Sequence, residues 1–536
     1  MGVRPAHQLE GLTTVQWQNT RSHPTGDRAR PHPARQGARC ALRGCWDRVT
    51  RADVTPELSL RSRVQGGSAW GSLNVALSKL LQFLTTLILA RILAPEEFGA
   101  LAVALVAQTI ALNITELGTT ASIARGDRNP DAIAPTVFTL SLVTGALLTI
   151  TMVVTAPWLA TALGDASATP VIQVMALSVI LASFASVPTA LVWRDFLQKR
   201  RLVVDIGAIA VTMLIAVPLA MIGWGAMALA WSRVIGQTVS TIGYWIIVPR
   251  RYLPGWNRVE LPGLLRLGLP LAGANFLAFI LLNVDYIVVG RELGPQELGL
   301  YLIAFNLAAL PSTVLTTIIR TVAVPAFGRL AAGGQLAALT PRLVQGIAWA
   351  AFPVCAMIGA LGTALMTALY GERWAPAAVA LLGLGVFGAA RILSELFADL
   401  SVGAGRTGGL LWVQAVWLIA LIPAMMLGVE LFGIAGAGWA HAVVAWLVVV
   451  PLYMVTISRV LGARVSAQLW AFLPLAAAAV LAAVIAALVA SLVDSPWLAL
   501  IAGGLSGLLA YLAVTVPVWR KLWREARAVP DQPAGA

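Results

Sequence analysis

Seven ionisable residues lie inside long apolar stretches of the chain, where charges are rare. They are Lys79, Glu116, Arg233, Asp285, Arg391, Glu395 and His441. A charged side chain at the centre of a membrane helix costs about 2.5 to 3.5 kcal/mol on insertion scales, so such residues usually face a cavity or a partner. The chemistry open to them is ligand binding, uptake of a proton or cation, or charge compensation.

Four of the seven have a structural explanation. Arg391 and Glu395 are four residues apart, which places them on one helix face and predicts an intrahelical ion pair. Arg233 and His441 occupy corresponding helices of an internal repeat, and we expect neighbouring carbonyls to satisfy them. Protonation of His441 as a switch of a packing contact is the alternative.

The composition is that of a polytopic membrane protein. Of the 536 residues, 59% are hydrophobic and only 11% are charged, whereas about a quarter of the residues of soluble domains are charged. The net charge of +13 could suggest nucleic acid binding. However, the basic residues lie in short loops between apolar segments, as insertion and anionic lipids require, so nucleic acid is set aside. The three cysteines have no partner at metal-ligand spacing, and we expect no disulfide, metal site or cofactor.

Fourteen apolar windows, each long enough to cross a bilayer, predict an all-α integral membrane fold of about 14 transmembrane helices. They lie roughly at 69 to 90, 99 to 121, 133 to 158, 169 to 193, 203 to 222, 225 to 249, 267 to 289, 299 to 322, 343 to 368, 376 to 398, 409 to 428, 432 to 455, 471 to 493 and 496 to 519. Residues 1–68 are polar and contain no signal-peptide core, which predicts a disordered basic tail; a translation start near Leu58 is the alternative.

The basic residues indicate the topology. The predicted outer loops contain only Arg91, Arg291 and Arg373, although the chain has 37 lysines and arginines. Because basic residues collect on the cytoplasmic side, this asymmetry predicts cytoplasmic N- and C-termini, with residues 520–536 forming the C-terminal tail.

An internal repeat divides the chain. The pattern Arg-x-Leu-x-Pro-x-Glu-x-Gly begins at Arg91 and again at Arg291, an offset of 200 residues (291 − 91). The two corners are separated by an even number of helices, so the repeat is parallel and predicts two six-helix lobes, 69–249 and 267–455, followed by an extra pair at 471–519. Function is then expected between the lobes. Arg91 and Arg291 are candidates for an outer gate, and arginines that extend to the membrane interface are the alternative.

The segments ARILAPEEFG, NVDYIVVGRELGPQELGLY, ALPSTVLTTIIRTVAVPAFGRL and LYGERWAPA, in this order and spacing, resemble the multidrug/oligosaccharidyl-lipid/polysaccharide flippase superfamily, and most of all its Wzx-type polysaccharide exporters. The resemblance covers most of residues 60 to 460. It implies translocation of an undecaprenyl-diphosphate-linked oligosaccharide across the cytoplasmic (inner) membrane by alternating access. Membrane lipids and a polysaccharide polymerase machinery are the further partners it suggests.

The resemblance also suggests which residues face the substrate. Lys79, Glu116 and Asp285 lie on helices that line the cavity in this superfamily, and Arg320 could join Lys79 in neutralising a diphosphate. The two acids could instead bind a coupling proton or sodium ion, or neutralise Lys79. Structural salt bridges are an equal alternative.

Three other functions are alternatives for a membrane protein of this kind. A multidrug or cation antiporter would use the same scaffold. A lipid II flippase typically carries an Arg-Asp pair where this chain has Thr85 and Thr86, which disfavours it. An enzyme such as a glycan polymerase would need a sizeable outer loop, and every predicted outer loop is short. The chain has no phosphate-binding loop of the Gly-x4-Gly-Lys type, so a nucleotide-driven motor is not expected.

Overall fold

A computed structural model describes residues 60–115, 123, 130–332, 336–405 and 408–527. Within these residues the chain is helical and contains no strand. The helices are α1 (Leu60–Ile92), α2 (Pro95–Thr115), α3 (Pro130–Ala162), α4 (Thr169–Arg194), α5 (Gln198–Met221), α6 (Ala226–Ile247), α7 (Leu261–Ala332), α8 (Leu336–Ala360), α9 (Gly362–Leu369), α10 (Ala378–Gly403), α11 (Gly408–Val444), α12 (Val450–Leu461), α13 (Val465–Ala490) and α14 (Pro496–Arg527).

Eleven described helical segments are long and apolar enough to cross a membrane. One of them, Gly409–Leu461, has 53 residues, far more than the roughly 20 that one crossing needs. A bend at Gly433 divides it, and a bend at Gly294 divides α7 into two arms. Both glycines have a positive φ, the left-handed region that residues with a side chain avoid. The expected all-α membrane bundle is thus confirmed, with two bends where the windows predicted loops.

The helices form two lobes and an extra pair. In the first lobe α1 packs on α5, α5 on α6, α6 on α4 and α4 on α3. In the second, α7 packs on α10 and α11, and α10 packs on α8. Helices α13 and α14 pack against each other, and α13 also packs on α8. The main contact between the lobes joins α2 to α7.

The repeated corners contact each other reciprocally. A Cβ at Gly99 would lie 1.9 Å from the Pro295 carbonyl oxygen, and a Cβ at Gly299 would lie 1.8 Å from the Pro95 carbonyl oxygen. Only glycine permits backbones to approach this closely. The exchange of equivalent contacts is what a pseudo-two-fold axis between the lobes produces, and it closes the corner end of the molecule.

A second pair of glycines fixes the register between the lobes. Gly225 has φ 55° and ψ −136°, and Gly433 has φ 59° and ψ −141°. This shared backbone conformation identifies Gly433 as the repeat equivalent of Gly225. The structural offset in this part of the repeat is therefore 208 residues (433 − 225).

Glycines allow close helix packing in the second lobe and in the extra pair. Gly383 lies against the backbone of Gly438 on α11, and Gly385 lies against the backbone of α8. Gly503 and Gly507 of α14 lie against α13. At the ends of the chain, α1 begins at Leu60 rather than at residue 69, and α14 continues to Arg527. Residues 1–59, where most of the predicted tail falls, lie outside the described residues.

Candidate functional site

A polar cavity of about 640 Å³ lies between the lobes. Its walls come from α1, α2, α5, α6 and the second arm of α7, with Ser178 contributed by α4. Hydroxyl and amide side chains cover much of it: Asn74, Ser78, Gln82, Thr85, Thr86, Gln108, Ser178, Thr212, Ser232, Gln237, Ser240, Asn306 and Thr313. Such side chains can hydrogen-bond a sugar, and they are out of place on a surface that faces lipid.

Two cations in this cavity have no counter-ion among the described residues. Lys79 of α1 and Arg233 of α6 line it with exposed side chains, and no described carboxylate lies within 4 Å of either. The cavity's other charges, Arg201 and Asp205, pair with each other at 3.2 Å. The described lining therefore carries a net charge of +2 from Lys79 and Arg233.

Asp205 is fully engaged and does not compensate these cations. Besides Arg201, it accepts a hydrogen bond from the Asn74 amide at 2.7 Å and one from the Tyr244 hydroxyl at 2.6 Å. These bonds tie α5 to α1 and α6 at one end of the cavity. Asp205 is thus a structural link within the first lobe.

The candidate residues from the sequence fall in different places. Lys79 lines the cavity as expected. Asp285 does not line it: its side chain is 1% exposed and lies inside the second lobe. Glu116 lies outside the described residues, and Arg320 lies on α7 at a position whose side chain is not described. Asp285 therefore does not neutralise Lys79 in this structure.

Asp285 instead forms a buried cluster with His441 and Tyr301. The Tyr301 hydroxyl donates to Asp285 Oδ2 at 3.0 Å, and His441 Nε2 lies 3.4 Å from the same oxygen. The Phe387 ring lies 4.6 Å from the His441 ring, centroid to centroid. His441 was expected to bond to carbonyls, but its described partner is a carboxylate. Asp285 Oδ1 and His441 Nδ1 have no hydrogen-bond partner among the described atoms.

The repeat relates this cluster to the cavity. With the two offsets above, Asp285 corresponds to Thr85 and His441 corresponds to Arg233. Thr85 and Arg233 both line the cavity. The second lobe thus has an acid and a base at two positions where the first lobe has a hydroxyl and a guanidinium with no described counter-ion.

Arg91 lies at the corner end, where its side chain hydrogen-bonds from the first lobe to the second. Its Nε donates to the Leu369 carbonyl at 2.8 Å and its Nη2 donates to the Ala368 carbonyl. These carbonyls end α9, where the helix leaves acceptors free and a cation is favoured. Arg291 is exposed and has no hydrogen-bond partner among the described side chains.

The bonds across the corner run in both directions. Arg373 Nη1 donates to the Leu93 carbonyl at 3.2 Å, and Trp374 Nε1 donates to the Ala90 carbonyl at 2.8 Å. Trp374 is 0% exposed and packs edge-on against Phe98. We call Arg91, Arg373 and Trp374 the corner latch.

Helix α10 contains an intrahelical ion pair. Arg391 Nε and Glu395 Oε1 lie 3.0 Å apart, which confirms the predicted i, i+4 pair. Arg233 was expected to hydrogen-bond to neighbouring carbonyls, whereas its side chain lines the cavity. The repeat could have indicated this difference. Trp231 and Arg233 have the same spacing as Trp439 and His441, so the two basic residues are equivalent. The first lobe has Thr85 at the position where the second lobe has Asp285.

A two-lobed, multi-pass membrane bundle with a polar, cationic cavity between its lobes defines the class of this protein. The chain belongs to the polysaccharide biosynthesis protein family, whose profile matches residues 88–379, more than half of the chain. The resemblance found in the sequence motifs is thereby confirmed.

Characterised relatives carry the same kind of name. The chain is 26% identical over 378 residues to the succinoglycan biosynthesis transport protein ExoT of Rhizobium meliloti, covering 70% of this chain and 76% of the relative. It is 23% identical over 413 residues to the lipopolysaccharide biosynthesis protein WzxC of Escherichia coli, covering 76% and 83%. It is 21% identical over 505 residues to the teichuronic acid biosynthesis protein TuaB of Bacillus subtilis, covering 88% and 99%.

Two solved structures share the fold. The lipid II flippase MurJ in an inward closed conformation superposes with a TM-score of 0.68 at 13% identity, over 84% of this chain and 99% of that one. An inward-facing MATE family multidrug transporter of the MOP superfamily superposes with a TM-score of 0.57 at 16% identity, over 73% and 98%.

Proposed function

We propose that this protein is a flippase that moves a lipid-linked oligosaccharide from one leaflet of the cytoplasmic membrane to the other. The observation that carries the proposal is the polar cavity between the lobes with two cations, Lys79 and Arg233, that have no counter-ion among the described residues. A diphosphate group needs cationic contacts, and a saccharide needs hydroxyl and amide partners. The cavity offers both on adjoining walls.

The relatives support the class of substrate. They are named for succinoglycan transport, lipopolysaccharide biosynthesis and teichuronic acid biosynthesis, and all three names concern surface polysaccharides. We infer an undecaprenyl-diphosphate carrier with the oligosaccharide in the cavity and the isoprenoid chain in the bilayer. A polysaccharide polymerase machinery would then take the product at the outer leaflet. The step is transport, with no covalent change to the substrate.

Alternating access accounts for the corner latch. In this structure the lobes touch backbone to backbone at Gly99 and Gly299, so the cavity is closed at the corner end. The positive-inside pattern assigns that end to the outer face and both termini to the cytoplasm. Release of substrate outward then requires the latch to open.

We assign energy coupling to the Asp285–His441 pair. A buried charge is costly unless it is compensated, so uptake of one proton by this pair changes the electrostatic energy of the second lobe strongly. Tyr301 lies on the second arm of α7 and connects the pair to the arm whose residues line the cavity. A proton bound here can thereby bias the position of that arm.

The alternatives are less well supported by the cavity. A multidrug or cation antiporter needs acids facing its substrate, but the one acid on the described lining, Asp205, is taken up by three hydrogen-bond donors. A lipid II flippase shares the fold, but Thr85 and Thr86 stand where an Arg-Asp pair is typical of those proteins.

The deciding experiment is reconstitution. Vesicles containing the purified protein and a fluorescent undecaprenyl-diphosphate oligosaccharide should expose about all of the glycan to an added glycosidase, whereas protein-free vesicles should expose only the outer-leaflet half. A Lys79→Ala, Arg233→Gln double variant of equal abundance should behave like protein-free vesicles. If the wild-type protein leaves the inner half protected, the proposed function is wrong.

A cellular test separates flippase from drug antiporter. Deleting the gene should remove a surface polysaccharide and cause its lipid-linked precursor to accumulate. Unchanged glycans together with altered drug sensitivity would support the antiporter instead.

A further inference from the structure

A second groove lies on the membrane-facing side of the first lobe, between α4 and α6, and is separate from the central cavity. Its volume is about 320 Å³. Leu181 and Phe184 form the α4 wall, and Ile242 and Ile246 form the α6 wall. Phe184, Ile242 and Ile246 are 43%, 54% and 69% exposed, so these apolar side chains are available to a ligand.

The polar atoms within the groove walls are already engaged. Thr241 Oγ1 donates to the Leu181 carbonyl at 3.1 Å, and Trp245 Nε1 donates to the Phe184 carbonyl at 2.9 Å. The Phe184 carbonyl accepts this bond because Pro188, four residues later, has no N–H to offer it. The indole and hydroxyl groups therefore face α4, and the groove surface is almost wholly apolar.

A guanidinium closes one end of this apolar groove. Arg251 lines it at the end of the bundle opposite the repeated corners, where α6 has just ended. Arg251 is exposed, and no described carboxylate lies within 4 Å of it.

Among the described residues, the neighbouring cation Arg250 has a carboxylate partner and Arg251 has none. Arg250 Nη1 lies 3.5 Å from Asp131 Oδ2, and the Tyr252 hydroxyl donates to Asp131 Oδ1. Partial burial and the bond to Asp131 raise the pKa of the Tyr252 phenol, so it stays a donor at neutral pH. Asp131 is thus held by the residues on either side of Arg251, which leaves Arg251 available to a ligand.

We propose that this groove binds an anionic phospholipid of the surrounding bilayer, with one acyl chain between α4 and α6 and the phosphate on Arg251. The groove spans about one helical turn of α6, roughly 6 Å, which matches the part of an acyl chain next to its headgroup. An apolar wall that ends in a guanidinium with no carboxylate partner in the described part of the chain is complementary to an amphiphile with an anionic head. A soluble anion would gain nothing from the wall, and a lipid without net charge gains less from Arg251.

Lipid binding to the full-length protein tests this proposal. The purified, delipidated protein in detergent is titrated with phosphatidylglycerol and with phosphatidylcholine of the same acyl chains, and bound lipids are counted by native mass spectrometry. The first phosphatidylglycerol should bind roughly fivefold more tightly than phosphatidylcholine, as expected for one added interaction with a cation near the membrane surface. Arg251→Gln should abolish the preference.

Two matched variants separate the site from general electrostatics. Arg250→Gln removes the same charge one residue away and should keep the preference. Ile246→Trp fills the groove at an exposed position and should weaken the first binding of both lipids. Equal binding of both lipids to the wild-type protein would overturn the proposal, as would an equal loss in Arg250→Gln and Arg251→Gln.

The other possible occupants give different results. Displacement of phosphatidylglycerol by millimolar inorganic phosphate would indicate an anion site that does not use the apolar wall. Displacement by undecaprenyl phosphate would indicate a site for the carrier of the transported glycan. Either result would overturn the proposal without bearing on whether the protein is a flippase.

Discussion

The positive charge of the central cavity comes from two side chains, Lys79 and Arg233, for which the described part of the chain contains no counter-ion. Lys79 lies near the middle of α1 and Arg233 lies on α6 with its side chain exposed to the cavity. A charge-assisted hydrogen bond to phosphate contributes about 1.5 to 3 kcal/mol. Each cation is therefore expected to matter to affinity and transport more than to folding.

Lys79→Ala should lower flipping roughly tenfold at unchanged protein abundance, because one phosphate contact is lost. Lys79→Arg should retain most of the activity. Lys199→Ala is the control, since Lys199 lies over the Trp70 ring and does not line the cavity. Flipping is measured by glycosidase access in vesicles, and a fully active Lys79→Ala protein would contradict this assignment.

Asp285→Asn should abolish the response of transport to a pH gradient while the protein still inserts. The substitution keeps the size of the side chain and its bond to Tyr301 but removes the carboxylate to which, with His441, we assign the coupling. Flipping in vesicles with an imposed pH difference is compared between the two proteins. A wild-type rate that follows a sodium gradient and ignores pH would exclude the proposed proton coupling.

At the residue scale, the sequence did not determine which partner each charged side chain contacts. The sequence identified Lys79 and Asp285 as intramembrane charges, but it placed both on one cavity. A side chain's partner depends on helix rotation, and a rotation of α7 decides whether Asp285 faces the cavity or His441. Single-sequence patterns do not determine that rotation when a helix is apolar on all sides.

At the scale of elements, the corner latch holds together parts of the chain that are far apart in sequence. Arg91 caps α9, and Trp374 returns a bond to the end of α1. Glu97 Oε2 accepts from the Ala94 backbone N–H at 2.7 Å, which stabilises the start of α2. The corner is thus held by a hydrogen bond to the backbone within the first lobe and by a few hydrogen bonds between the lobes.

Arg91→Leu should open the corner end more often, because two bonds from a charged donor to α9 are lost. A cysteine placed at Thr86 in the cavity reports this through faster reaction with a water-soluble thiol reagent added from the corner side. Arg291→Leu is the matched control at the equivalent position of the repeat and should leave the rate unchanged. Equal rates in all three proteins would show that Arg91 has no part in closing this end.

Gly99→Ala should reduce the amount of folded protein, because its Cβ would meet the Pro295 carbonyl oxygen at 1.9 Å. Overpacking of this kind costs about 1 to 3 kcal/mol or more. Gly207→Ala is the control, since no atom lies within 4 Å of its Cβ position and alanine favours a helix over glycine. The measurement is the thermal transition of the detergent-purified proteins, and equal transitions for Gly99→Ala and the wild type would contradict the close contact.

At the scale of the whole molecule, alternating access predicts opposite distance changes at the two ends. Spin labels at Ala162 and Val379 report on the corner end, and labels at Val203 and Val402 report on the other; all four positions are exposed. Pulsed electron spin resonance after addition of substrate should show one distance lengthening and the other shortening. Two distances that change together, or not at all, would contradict a rocking motion of the lobes.

The overall architecture was largely predictable from the sequence, and the reason is physical. Apolar length and basic-residue asymmetry are imposed by the bilayer on each segment separately, so fourteen windows and a parallel repeat can be found without knowing any contact. The bends at Gly294 and Gly433 were expected as loops, because nothing local distinguishes a sharp bend from a short connection. The sequence did not predict the lipid-facing groove. The groove depends on the bond from Trp245 to the Phe184 carbonyl, which is available because Pro188 has no N–H.

The reciprocal contact between Gly99 and Pro295, and between Gly299 and Pro95, has an evolutionary consequence. Each copy of the duplicated corner is the packing surface of the other, so a side chain gained by one copy is tolerated only if the other copy retreats. The corners can therefore diverge only together. Thr85 and Arg233 carry no such mutual constraint with Asp285 and His441. Those positions were free to diverge, so the first lobe has Thr85 and Arg233 on the cavity and the second lobe has Asp285 and His441 in a buried pair.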